Sequence, residues 1–108
     1  MEDYIFRKNE VMHTGEDWQR TYVVDGDVDI SNAIAVCKIR NKLDVVLCEA
    51  VCDIVGNSIV VSISSADTLS IPRAVRQGRY DVFLIADTGQ TYKLVMGNID
   101  IIHDVSMH

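Results

Sequence analysis

Apolar and polar positions alternate over most of this 108-residue chain, and a period of two predicts β-strands. Between Ala33 and Arg40 the residues Ala33, Ala35, Cys37 and Ile39 fall on one side. From Asp44 to Ile54 the matching set is Val46, Cys48, Ala50, Cys52 and Ile54, followed by Ile59, Val61 and Ile63. A polar turn centred between Lys42 and Leu43 sets Ile39 opposite Val46, Cys37 opposite Cys48 and Ala35 opposite Ala50. Gly56-Asn57 is a two-residue hairpin signal, setting Ile54 opposite Ile59, Cys52 opposite Val61 and Ala50 opposite Ile63. A one-residue slip at either turn would divide the apolar face, so the two turns together predict a three-stranded meander with one inside.

The flanking segments extend the pattern. Tyr4 to Arg7 reads as a short first strand or as an arm that pairs with a neighbouring subunit. After Gly15, Trp18, Tyr22 and Val24 share a parity that Arg20 interrupts, and Asp25-Gly26-Asp27 is a turn. Ser64 with Asp67 three residues on is an N-cap pattern, predicting a helical turn at Asp67 to Leu69. From Gly78 to Ala86 the inward set is Tyr80, Val82, Leu84 and Ala86. A loop at Thr88-Gly89-Gln90 then sets Ala86 opposite Tyr92, Leu84 opposite Leu94 and Val82 opposite Met96, with Gly97 as a candidate bulge. The expectation is an all-β, immunoglobulin-like antiparallel sandwich of about seven strands with one short helical turn. It would occupy residues 15–108, behind an arm or first edge strand at 1–14. The Cys…Trp…Cys spacing of antibody domains is absent.

Charge narrows the function. A net charge of −6 speaks against a nucleic-acid partner, because phosphate contacts need clustered Lys and Arg. The basic residues are spread along the sequence, most densely at Arg73, Arg76 and Arg79. No apolar run has the length of a membrane span, and no secretory signal opens the chain, so folding in a cytoplasm is expected. Cys37, Cys48 and Cys52 then read as buried thiols packing in the core, with Cys48 and Cys52 roughly 13 Å apart on one strand. His13, His103 and His108 share no ligand spacing. Ser62, Ser64 and Ser65 lack a nucleophile elbow. Asp25, Asp27 and Asp29 begin like a calcium loop but lack its Gly and terminal Glu. No enzymatic activity, metal or cofactor is expected.

From Gly15 onward the chain resembles a domain of tailed bacteriophages, the N-terminal domain of upper baseplate proteins and of small stand-alone virion proteins. The resemblance runs through Gly15-Glu16-Asp17-Trp18, Val28-Asp29-Ile30-Ser31-Asn32, Cys37-Lys38-Ile39-Arg40, Ile63-Ser64-Ser65-Ala66-Asp67-Thr68 and Gly78-Arg79-Tyr80-Asp81-Val82, in that order. Where the family passes quickly from Pro to Gly, this chain inserts Arg73-Ala74-Val75-Arg76-Gln77, predicting a longer, basic, projecting loop. The resemblance implies a non-enzymatic virion protein that docks one structural protein to another, in baseplates, at tail-fibre attachment points or on heads; of these the expected place is the tail side, as a tail, baseplate or fibre-attachment component. It implies a homo-oligomeric or multi-copy state in a particle assembled in the bacterial host cytoplasm. A capsid decoration or head-fibre protein is the near alternative, and a soluble glycan- or small-ligand-binding module the more distant one.

A sandwich strand needs only one apolar face. Ile34, Val36, Phe83, Ile85 and Val95 lie on the other side in the register above, and so are candidates for a partner-binding patch. The apolar ends Tyr4-Ile5-Phe6 and Ile101-Ile102 are candidates for adding a strand to a neighbour's sheet edge.

Overall fold

Alternation becomes nine strands and one short helix among residues 6–24 and 30–103, which a computed structural model describes. They are β1 (Phe6–Arg7), β2 (Glu10–His13), β3 (Trp18–Val23), β4 (Ile34–Arg40), β5 (Val46–Glu49), β6 (Val51–Val55), β7 (Ser58–Ile63), α1 (Ser65–Leu69), β8 (Gln77–Ile85) and β9 (Thr91–Ile102). The larger sheet has the order β1-β9-β8-β4-β5, with β2 also on β9, and the smaller sheet has the order β3-β7-β6. Between them lie Cys37, Ile39, Val82 and Ile99 of the larger sheet and Trp18, Ile59 and Val61 of the smaller. Ile39, Val61 and Val82 are fully out of water, each such side chain contributing roughly 1.5–3 kcal/mol. The protein is an all-β, immunoglobulin-like sandwich.

The predicted meander shares one inside for a different reason. The segment 44–54 is not a single strand: β5 pairs with β4 and β6 pairs with β7, so the chain changes sheets at Ala50. Its residues keep one inside because the two sheets face each other. The Gly56-Asn57 hairpin has the predicted register, with Ile54 opposite Ile59 and Cys52 opposite Val61, and Gly56 takes the left-handed φ of 59° that the turn requires. The earlier turn does not. Ile39 faces Cys48 and Arg40 faces Val46 across a bulge, and Ala50 N–H donates to Cys37 O. The cause is the Asn41–Val45 loop, where Asn41 Oδ1 accepts from Leu43 and Val45 N–H and Asp44 sits at φ 64°.

In the last hairpin, Ala86 N–H donates to Gln90 O, leaving Asp87-Thr88-Gly89 as the loop. Leu84 therefore faces Tyr92, not Leu94. The bulge falls at Leu94, between Phe83↔Lys93 and Val82↔Val95, not at Gly97. An extra residue inverts the parity beyond it, turning Val95, Ile99 and Ile101 inward and Met96 outward. Gly97 has another task. A Cβ there would collide with the backbone carbonyl of Lys8, because β1 and β2 run parallel along β9 on either side of that point.

Arg20, the break in the apolar set of β3, closes the sandwich's open side. Its Nε donates to Glu10 Oε1 at 3.0 Å, its Nη2 donates to Val11 O, and its guanidinium lies 4.9 Å from the centre of the Trp18 ring. Glu10 is buried and also accepts from the Tyr22 hydroxyl at 3.0 Å. At one end, the Ser64 side chain caps α1 by accepting from Asp67 N–H. Thr68 Oγ1, fully buried, accepts from Gly15 N–H and donates to Glu16 O, while Asp17 Oδ1 accepts from Ser65 N–H. The loop 73–76 does not project. Arg76 O accepts from Ile101 N–H and Val75 O lies 2.7 Å from His103 Nε2, so the loop lies against the end of β9.

Candidate docking face

The outer face of the larger sheet is laid out in cross-strand rows. Thr91, Ile85 and Ile34 form one row, and Lys93, Phe83 and Val36 the next. Then come Arg7, Met96, Asp81, Lys38 and Glu49, followed by Asn98, Arg79, Arg40 and Val46. The first two rows are mainly apolar and the next two mainly charged. Ile34 is 65% exposed, while Val36, Phe83 and Ile85 are half-buried against one another. Lys93 joins the halves. Its ammonium lies 5.2 Å from the centre of the Phe83 ring and 3.8 Å from Asp81 Oδ2, so its stem covers apolar surface while its charge stays wet.

The charged half is concave. Arg7, Lys38, Arg40, Arg79 and Lys93 line a cavity of about 550 Å³ together with Asp44 and Asp81. Half of the chain's ten basic residues therefore converge on one face, although the sequence spreads them. Five cations against two carboxylates leave this cavity at +3 in a chain of −6.

The structure divides the interface candidates. Ile34, Val36, Phe83 and Ile85 come together on this face, with Ile34 paired to Ile85 and Val36 to Phe83. Val95 and Ile101 do not, being 4% and 3% exposed in the core, because the bulge at Leu94 turns them inward. Ile102 is 49% exposed, beside His13 at the β2 edge. Phe6 lies on β1 opposite Val95. Tyr4, Ile5 and the Asp25–Asp29 turn lie outside the described residues. Sequence reasoning missed the basic cavity because its five residues come from four different strands.

Other candidate groups have ordinary structural tasks. Burial pushes the Cys37 and Cys52 thiols up, and raises Cys48 to about 11, so little thiolate exists near neutral pH. All three cysteines are free. No cluster able to hold a metal ion occurs among the described residues.

No protein-family model matches the chain, and no curated protein matches it by sequence. Among solved structures it is similar to the M1 domain from titin, at 9% identity and a TM-score of 0.50, covering 100% of this chain and 98% of that one. At that identity the likeness concerns the fold alone.

Proposed function

We propose that this chain is a non-enzymatic structural protein of a tailed-phage virion, docking to other virion proteins through the outer face of its larger sheet. The observation that carries the reading is the register of Ile34, Val36, Phe83 and Ile85, which forms an apolar patch on the solvent side of a finished sandwich. Such a patch beside a charged rim has the anatomy of a protein interface. The phage assignment draws support from the five motifs in order, and from how four of them meet. Gly15–Asp17 is hydrogen-bonded to Ser65 and Thr68. A Cβ at Gly78 would stand 2.7 Å from the Arg40 carbonyl, so the glycine that opens one motif makes room for the end of another.

Within the virion, the proposed position is the tail side. Imaging of purified particles carrying an epitope tag on this chain tests that placement, with label at the tail expected. Phe83→Asp is expected to yield a folded, soluble chain that no longer enters particles. Label on the head would move the protein to capsid decoration. Absence of the chain from washed particles, or normal incorporation of the Phe83→Asp variant, would overturn the reading.

A further inference from the structure

We propose that Arg40 and Arg79 form a seat for a carboxylate of a partner protein, occupied in the free chain by Asp44. The two arginines are directly opposite on β4 and β8, where like charges repel. Among the described residues one acid stands between them. Asp44 Oδ1 accepts from Arg79 Nη2 at 2.5 Å, whereas Arg40 Nη1 reaches only the Asp44 backbone carbonyl, at 2.8 Å. Asp44 thus gives its carboxylate to one guanidinium and only a carbonyl to the other, and Lys38 in the adjacent row adds a third cation. The Asp44 side chain is 72% exposed and its backbone is left-handed, so this occupant is a displaceable loop residue. An incoming carboxylate can bind the Arg40 fork in bidentate fashion and satisfy a cation that Asp44 leaves to a carbonyl.

Two neighbours point to a protein acid over a polyanion. Asp81 and Glu49 lie in the row beside the seat, where they repel the successive phosphates of a nucleic acid. The apolar rows of Val36, Phe83, Ile34 and Ile85 continue the same face, so the complementary ligand carries an apolar side chain next to its acid. This deepens the docking reading, and rests on it only for which protein supplies the acid. Binding is read on the free chain, so failure here would remove the seat and leave the docking face standing.

The test is fluorescence anisotropy with a labelled peptide of four glutamates flanked by phenylalanine, at about 50 mM and about 500 mM salt. Saturable binding at low salt, lost at high salt, is expected. Arg40→Gln should weaken it about tenfold or more. Asp44→Asn should tighten it about threefold or more by removing the internal competitor, its left-handed backbone being one that Asn tolerates. Asp53→Asn, the same charge change on the smaller sheet's exposed edge strand, should leave affinity unchanged. Melting curves accompany each variant, and Lys38→Gln carries the test if Arg40→Gln melts early. Three results would each overturn the proposal: no saturable binding by the unsubstituted chain, equal effects of Asp44→Asn and Asp53→Asn, or competition by inorganic phosphate or hexathymidine as strong as by free tetraglutamate.

Discussion

The two sheets share an interior and differ outside. The larger presents the Phe83 ring with Ile34, Val36 and Ile85, a cavity of five cations and the acids that partly neutralise them. The smaller presents Val23, Val51, Val55 and Val60 among Gln19, Thr21, Ser58 and Ser62, with Asp53 as its charge. Both exteriors are compatible with strands, since β-branched residues suit a pleated surface. Only the larger has directional features (ion pairs, a ring and a concavity) by which one partner can be told from another. Exposed apolar area therefore marks both faces, and arrangement separates them.

The sharpest test of which side chains belong to which face is Val95→Asp against Val36→Asp. Burying an unpaired carboxylate costs several kcal/mol, so Val95→Asp should unfold the chain, while Val36→Asp should leave a cooperative urea transition within about 1 kcal/mol of the original. Equal effects would mean that the bulge at Leu94 does not set the faces. Next in size is Glu10→Ala, which takes from the Tyr22 hydroxyl and from Arg20 Nε the carboxylate that β2 presents to them. A loss on the order of 2–3 kcal/mol is expected in urea unfolding.

Alkaline stability comes third. Burial raises Cys37, Cys48, Cys52, Tyr22 and Tyr80 above their ordinary values. The folded state then holds protons that the unfolded chain releases, so stability is whole below pH 9 and falls as pH rises. For Cys48 that loss runs from 9.0 to about 11. Thermal melting followed by circular dichroism from pH 7 upward should show this decline, and a rising or flat melting temperature across that interval would contradict it. The smallest effect belongs to the smaller sheet. Val55→Thr should change stability by less than about 0.5 kcal/mol and leave peptide binding untouched, whereas Arg40→Gln should alter binding at comparable stability.

Much of this architecture was legible in alternation. Trp18, Tyr22 and Val24 share a buried parity, Ser64 caps α1, and the Gly56-Asn57 hairpin has its expected register. The failures have a common physical origin, since parity is silent about where a strand gains a residue or leaves its sheet. Leu94-Val95 is the one trace of the bulge, two adjacent apolar residues where inward positions pass from even to odd numbers. Nothing local distinguishes Ala50 as the point where the chain changes layers. The basic cavity is harder still, because Arg7, Lys38, Arg79 and Lys93 become neighbours only once β1, β9, β8 and β4 are aligned.

The parallel ladder between β2 and β9 has a mechanical consequence. The described chain enters by β1 and β2 and leaves by β9, running in the same direction, so its two ends depart from opposite poles. Tension applied between those ends would drag the strands lengthwise past each other and load all their bonds together. Two antiparallel end strands would instead peel apart one bond at a time. A sandwich wired in this way can carry a pull from one of its poles to the other without opening first at its own seam.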